Sequence, residues 1–464
     1  MSPRTVLVTG ATGYVGGQLV PALLSAGWHV RVLARTPARL PQDWRDEVEV
    51  VQGDATKRED LERALGGTTA AYYLLHSMDA QGGFRERDRE LAEKFATVAR
   101  EQNVSRIVYL SGLHPDGDLS DHLASRVEVG RILLDSGVPT AVLQAGIVLG
   151  DGSASFDMLR HLSERLPAAI GPKWLRNRIQ PIAIDDVVHY LVAAADLDPS
   201  VNRTIDIGMD EVLTYSDMMR RYARVTGLKP RLVGTVPVLT PGLASHWVGL
   251  VTPVSKHIAR PLVGSLIHDA VKHENDAAEL LGDPPGGTLG FEAAVARATA
   301  HLDPGRWGRT LTRIGAAVAA CAAVGSVLTK PNGEWYAQLR KPSWQPPAAA
   351  FPLVWTTLYV LITVAATATS ADLEESGAAD DAAAFRRALW VNLVLNAGWS
   401  GLFFRVHNLP LATVGAAALA ASSADLTRRG AKAGPGKALA FGAYAGWCTF
   451  ATALSGTIAR LNRR

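Results

Sequence analysis

Val6-Leu7-Val8-Thr9 runs directly into Gly10-Ala11-Thr12-Gly13-Tyr14-Val15-Gly16, and this junction decides the fold of the first part of the chain. A β-branched and leucine run of this kind reads as a strand. The three glycines after it are spaced three apart, and a helical pattern from Gln18 to Ala26 and a second strand, His29 to Leu33, follow. Glycines so spaced in a strand-to-helix turn have a mechanical reading. Gly10 permits the tight turn, Gly13 lets the backbone approach a pyrophosphate, and Gly16 lets helix and strand pack closely, with the phosphates on the helix N-terminus. Thr12, Tyr14 and Val15 complete the cofactor-facing set. The bland alternative is a structural turn; the context favours dinucleotide binding.

Outward from this junction, short β-branched runs alternate with amphipathic stretches up to about Leu302, the pattern of a parallel α/β sheet. Arg35 closes the second strand where an NAD-specific site would carry an acid on the ribose 2′-hydroxyl. An arginine there favours a 2′-phosphate, so NADP(H) is expected over NAD(H); a merely solvated arginine is the competing reading. Asp54, with Ala55 beside it, follows a third strand (Val48 to Val51) and is placed to accept from an adenine amino group. A fourth strand, Ala70 to Leu75, and a fifth, Arg106 to Ser111, complete a doubly wound Rossmann sheet with a small substrate lobe.

Composition divides the 464 residues differently. From Thr310 to Arg464 there are 14 Lys and Arg against 7 Asp and Glu, and 6 of the 11 Trp. The preceding residues hold 33 and 37, a denser and net acidic set. Two solvents are implied. The balance excludes a disordered or disulfide-stapled chain. Cys321 and Cys448 lie in Ala-rich apolar stretches and read as buried thiols, and neither a metal-spaced His cluster nor a nucleic-acid motif is present. The N-terminus enters the first strand with no signal-peptide pattern, so the chain is expected to start in the cytosol.

Uncharged spans run Ile314–Thr329, Ala348–Ala371, Ala388–Phe404, Leu409–Ala424 and Ala438–Ala459. A bilayer core needs about 20 apolar residues, so by uncharged length the second and fifth qualify alone. The other three would rely on flanking Arg313, Arg405 and Arg428 to snorkel. A soluble Ala-rich bundle is the alternative; Trp335, Tyr336, Trp344 and Trp355 near span ends favour the membrane.

The motifs carry two resemblances. Thr9 to Gly16, then Leu33-Ala34-Arg35, Gly53-Asp54 and Tyr109-Leu110-Ser111-Gly112 resemble the atypical short-chain dehydrogenase/reductases of the NmrA-like and extended kind. Pro181 to Leu191 and Leu239 to Val263 are similar to bacterial members, and the likeness covers nearly all of residues 1–302. It implies a Rossmann core with a C-terminal substrate lobe. Catalytic members place a Ser near the end of the fifth strand and a Tyr-x-x-x-Lys pair on the next helix. Ser111 is in place, but His122 and Arg126 stand where the pair is expected. His122 is a candidate general acid near neutral pH, and Arg126 can hold a ribose or phosphate but cannot relay a proton. Active oxidoreductase chemistry and binding without turnover both stay open.

From residue 311 to the end, Trp335-Tyr336 through Trp344, Phe351 through Tyr359, Asn392 through Ser400 and Tyr444 through Ala451 resemble the TspO/MBR family of tryptophan-rich sensory and translocator proteins. The resemblance implies five transmembrane helices around a pocket for apolar planar ligands such as porphyrins. Trp344, Trp355, Tyr359, Asn392, Asn396, Trp399, Trp447 and Ala451 match its pocket positions. An Asn within a span either meets a ligand or bonds a neighbouring helix, and both readings remain. Where members usually have Leu-Asn, the fifth helix reads Leu454-Ser455. The whole is expected to be a fusion: residues 1–302, a hinge at 303–310, and a bundle at 311–464. It is placed in the plasma membrane, multi-pass, with its first domain cytoplasmic. The expected partners are the lipid bilayer and a porphyrin-like apolar ligand, a homodimer is compatible, and nucleic acid is not expected. Three functions compete: a ligand sensor or carrier coupled to NADP(H), a membrane-tethered NADPH-dependent oxidoreductase acting on an apolar substrate, and a domain merely anchored.

Overall fold

The computed structural model describes residues 4–76, 84–115, 117, 119–236, 252–253 and 256–463. Contacts divide the chain into two compact units, Met1–Asp303 and Pro304–Arg464.

In the first unit, seven strands form one parallel sheet: β1 Thr5–Thr9, β2 His29–Ala34, β3 Glu49–Gln52, β4 Ala70–Tyr73, β5 Arg106–Gly112, β6 Thr140–Ala145 and β7 Arg203–Ile207. Their spatial order is β7-β6-β5-β4-β1-β2-β3. The register sets Thr9 beside Leu33 and Val8 beside Tyr72. The strand order reverses between β1 and β4, and that switch point is where a doubly wound sheet opens a crevice for a ligand. Val6, Leu7, Val8, Tyr72, Val108 and Leu143 are buried, as expected of parallel strands covered on both faces.

Helices α1 (Tyr14–Ser25), α2 (Phe84–Glu101), α3 (Asp121–Leu134) and α4 (Ile184–Ala194) supply the cover. Leu19, Leu23, Val187 and Leu191 of α1 and α4 pack on one face, and Phe95, Val98, Val129 and Leu133 of α2 and α3 on the other. α1 begins four residues before the helical pattern read from sequence. The adjacent glycines Gly16 and Gly17 weaken local propensity, and packing of Gly16 against the β1 turn overrides it. A second core, with Phe156, Tyr215, Met218, Tyr222 and Phe291, forms the smaller lobe. Helix α5, Lys256–Ser265, belongs to this part of the chain. Most of the stretch from Leu239 to Val263 singled out above lies outside the described residues.

The second unit holds five long helices: α6 Arg306–Leu328, α7 Ala350–Glu375, α8 Ala379–Phe404, α9 Leu409–Gly430 and α10 Pro435–Leu461. By length and composition three segments can cross a membrane: α6, α7 and Leu409–Ala433, which includes α9. Of the two spans that uncharged length singled out, the second, now α7, is among these three and the fifth, now α10, is not, while α6 and α9 join it. α6 gains from helix continuing to Arg306, beyond the uncharged run. α10 is diluted by Gly436, Gly442, Gly446 and Gly456 and by its hydroxyl-bearing residues. Ile362, Phe385, Leu389, Phe441 and Tyr444 fill the interior. Leu353, Val360, Val394, Val414 and Leu439 are exposed, each more than half, so the unit carries an apolar exterior as well as an apolar core. That double apolarity belongs to a bundle whose outside is lipid.

Candidate functional site

The cofactor end of the site is built by the β1–α1 junction. Gly10 has φ +71°, and a Cβ there would stand 2.5 Å from the Leu74 carbonyl oxygen; at Gly16 it would collide with the Gly10 carbonyl oxygen. Thr9 locks the junction to β4, its hydroxyl donating to the Tyr72 carbonyl at 2.7 Å and accepting from the Leu74 amide at 3.1 Å. Gly13 caps α1 with no side-chain bond, so the amides of Tyr14, Val15 and Gly16 in its first turn are left to an external acceptor. Thr12 and Gly13 are exposed, as a phosphate cradle requires. These residues fit a pyrophosphate. The Tyr14 ring lies against Gly150 and Gly152, so its amide, rather than its hydroxyl, belongs to the cradle.

Arg35 is exposed at the end of β2 and makes no ion pair among the described residues. The Asp54 carboxyl accepts from the Thr56 amide and hydroxyl on one oxygen, both at 2.9 Å. These bonds, with Arg35 and Lys57 nearby, hold it below the usual carboxylate range. Ala55 is half-buried against the α2 side of the sheet.

At the C-terminal ends of β4 and β5 the structure gathers a polar cluster in which only part was legible. Ser111 is buried near the end of β5, its Oγ without a hydrogen-bond partner among the described residues. Ser120 caps α3, and the next turns carry His122 and Arg126. Arg126 donates to the Leu110 carbonyl at 3.1 Å. His122 does not stand alone. Its Nε2 lies 2.9 Å from His76 Nε2, with the two rings at 70°. His76 Nδ1 is 3.2 Å from Asp88 Oδ2, which also accepts from Ser125 Oγ at 3.1 Å. On the other side, His122 Nδ1 meets Ser265 Oγ of α5 at 3.1 Å.

Electrostatics change the reading of His122. Burial, reinforced by Arg126 and His76 and opposed by Asp88, pushes it down to about 2. It is neutral at physiological pH, so His122 is not an isolated imidazole titrating near 7. His76 is also lowered, by burial first and Arg126 next, but Asp88 acts on it directly. His76, Asp88 and Ser265 were not found from sequence. His76 carried a faint signal, three residues past a parallel strand at its ligand-binding end. Asp88 and Ser265 carried none, because only tertiary folding brings them near residues 76 and 122.

In the second unit, Asn392 and Asn396 are buried and committed to neighbouring helices. Asn392 donates to Ser423 Oγ at 3.0 Å and accepts from Tyr444 OH at 2.9 Å. Asn396 donates to Tyr444 OH at 2.9 Å and accepts from Tyr359 OH at 3.0 Å. Of their two readings the structure supplies the interhelical one, since a buried amide away from water takes the partners it has. Trp355 stacks obliquely beside Tyr359 at 5.5 Å, and Trp447 beside Phe450 at 5.2 Å. Trp344 also meets Phe450, at 5.8 Å, and Ala451 is half-buried one turn beyond Trp447. Trp399 and Trp447 bury indole Nε1 atoms that have no hydrogen-bond partner among the described residues.

Comparison with known proteins fits both halves. Residues 10–136 match the NAD(P)H-binding family model, and residues 314–461 match the TspO/MBR family model. A ceramide reductase of Caulobacter vibrioides is 30% identical over 259 residues, covering 53% of this chain and 78% of that protein. The chain joins an NAD(P)-binding short-chain dehydrogenase/reductase domain to a TspO/MBR domain. The TspO/MBR domain is 42% identical over 106 residues to a tryptophan-rich sensory protein of Cereibacter sphaeroides, matching 23% of this chain and 61% of that protein's length. A triphenylmethane reductase of Citrobacter sp., solved with NADP(H), shares the fold of the NAD(P)-binding domain. It has a TM-score of 0.50 at 16% identity, covering 63% of this chain and 99% of that one.

Proposed function

We propose that the protein is an NADPH-dependent reductase of an apolar carbonyl compound, tethered to the plasma membrane by its TspO/MBR domain with the NAD(P)-binding domain on the cytoplasmic side. The observation that carries this reading is the polar cluster at the ligand end of β4 and β5, where the Asp88-backed His76 bonds His122, on the same sheet that ends in Ser111 on β5 and in the phosphate cradle after β1. The amides of Tyr14, Val15 and Gly16 hold the pyrophosphate. Arg35 takes a 2′-phosphate and Asp54 the adenine amino group. The nicotinamide supplies a hydride. Ser111 offers a hydroxyl to the carbonyl oxygen, and Arg126 steadies the strand end beneath it. A lipid substrate is supported by the ceramide reductase relative. The linking segment is short, since the helix that ends at Ala298 is followed by α6 from Arg306.

The test uses the full chain in detergent, following NADPH absorbance with long-chain ketones, an N-acylated amino ketone among them. Turnover dependent on chain length is expected. No oxidation above the ketone-free rate with any of them would overturn the reading.

A second role, for the TspO/MBR domain, is favoured by the buried indole N–H groups of Trp399 and Trp447. Beside flat rings they suit a planar apolar ligand of the porphyrin kind, held by stacking and by indole donors. Saturable quenching of tryptophan fluorescence by protoporphyrin is expected, weakened when Trp355 and Trp447 are both replaced by Phe. Equal affinity in that variant would assign both rings to packing.

A further inference from the structure

The hydrogen bonds around His122 form one continuous line: Asp88 Oδ2, His76 Nδ1 at 3.2 Å, His76 Nε2 to His122 Nε2 at 2.9 Å, and His122 Nδ1 to Ser265 Oγ at 3.1 Å. The Ser265 hydroxyl also reaches the Pro261 carbonyl at 3.1 Å. Every ring nitrogen on this line is engaged, so neither imidazole can hand a proton to a substrate directly. Ser265 Oγ, on a half-buried residue at the end of the line, is the group whose hydroxyl can turn from the Pro261 carbonyl toward another acceptor.

Counting protons along the line gives two self-consistent arrangements. In the first, His76 Nδ1–H donates to Asp88, His122 Nε2–H donates to His76 Nε2, and the Ser265 hydroxyl donates to His122 Nδ1. In the second, every bond after Asp88 is reversed. His76 carries both its protons and donates to His122 Nε2, His122 Nδ1–H donates to Ser265 Oγ, and the serine hydroxyl points away, as its bond to Pro261 does. The two arrangements use the same heavy atoms and differ by a single proton. The extra proton rests on His76, the imidazole that faces a buried carboxylate.

We infer that Asp88, His76, His122 and Ser265 form a proton relay that takes the place of the missing Tyr-x-x-x-Lys pair, with Ser265 as the group that protonates the substrate oxygen. The inference rests on the reductase reading above. The step balances. Hydride adds to the carbonyl carbon, the C=O π pair moves to oxygen, and the oxygen takes the Ser265 proton. Ser265 is refilled from His122 Nδ1, and His122 Nε2 from His76. The line is left in its first arrangement, and one proton from water restores the second. Asp88 and His76 are positioning residues here, since they act through His122. Burial and Arg126 disfavour charge on both imidazoles, and only at His76 does a directly bonded carboxylate, Asp88, oppose them, so a proton entering the line is held at the Asp88 end and is readily released.

Ser265→Ala is the deciding variant, because it removes one hydroxyl from a half-buried helix position and leaves the fold intact. With the full chain and the best of the long-chain ketones, kcat is expected to fall about a hundredfold or more, the range for a lost general acid. KM and NADPH affinity should hold within about twofold, since Ser265 touches neither cradle nor ribose. A solvent deuterium isotope effect on kcat is expected in the native chain. His76→Gln should give the same split between kcat and KM. His76→Gly, if folded by circular dichroism, should regain activity with added imidazole. Native-like kcat in both Ser265→Ala and His76→Gln, in a chain whose wild type turns over, overturns the relay and leaves the reductase standing. A wild type that oxidises NADPH with no ketone removes the reductase reading itself.

Discussion

Arg35 illustrates how much one exposed side chain can decide. It stands at the end of β2 with no ion pair among the described residues, and Asp54 across the neighbouring strand end is already satisfied by Thr56. A charge-assisted contact to a 2′-phosphate contributes about 1.5–3 kcal/mol, roughly ten- to a hundredfold in affinity. Arg35→Ala should therefore lower NADPH affinity by that factor and leave NADH affinity nearly unchanged, as read by titrating each against the purified chain. An unchanged ratio would assign Arg35 to solvent. His122 makes a separate prediction with the sign fixed by linkage. Its folded value is near 2 and its unfolded value near 6.5, so between these the unfolded chain binds the extra proton. The stability of the NAD(P)-binding domain should fall as pH drops below about 6.5, approaching 1.4 kcal/mol per pH unit for this one proton. Hydrogen-exchange protection of β4 and β5 amides at pH 7, 6 and 5 measures it, and His122→Gln should flatten the slope. A steeper loss at pH 5 in the variant than in the native chain would contradict the assignment.

At the scale of elements, the bundle is held by polar bonds as well as by packing. Tyr444 of α10 bonds both Asn392 and Asn396 of α8, and Asn396 also joins α7 through Tyr359. Tyr444→Phe deletes one oxygen yet leaves two buried amides each short of a partner. A loss of about 1–2 kcal/mol is expected, at the upper part of the range for interhelical bonds in membranes. Detergent-denaturant titration of the full chain, followed by helical circular dichroism, would read it. A midpoint equal to wild type would mean that lipid or ligand groups replace the hydroxyl. The same reasoning explains why polar residues read as pocket lining can instead be joints. Asparagine identity marks an expensive group in an apolar span, but which neighbour satisfies it depends on helix rotation.

At the scale of the whole molecule, the two ends of the chain can be assigned to sides of the membrane. Under the proposed reading, five crossings would place the two ends of the chain on opposite faces, with the NAD(P)-binding domain on the side that holds its cofactor. The basic residues lean only slightly that way, with Arg306, Arg309, Arg313, Arg386, Arg387, Arg428, Arg429, Lys432 and Lys437 on the expected inner side. In inside-out vesicles, trypsin should remove the NAD(P)-binding domain while a tag after Arg464 stays protected. Right-side-out vesicles should give the reverse. Cleavage of both ends from one face would exclude an odd number of crossings.

The architecture was legible in the residues alone: a Rossmann turn from Val6 to Gly16, strands that become β1 to β5, and a tryptophan-rich bundle after residue 311. These were legible because they rest on local rules, glycine at a positive φ, apolar runs in doubly covered strands, and long stretches without charge. Ser111 was legible as a residue in its expected place, and His122 and Arg126 as replacements for an expected pair. Their chemistry was not. Tertiary structure alone decided that His122 is buried and neutral, that His76 and Asp88 stand behind it, and that Ser265, 143 residues away, closes the line. It likewise decided that Asn392 and Asn396 bond helices. Burial and the choice of hydrogen-bond partner depend on which distant segments pack together, and that information is carried by no single stretch of the chain.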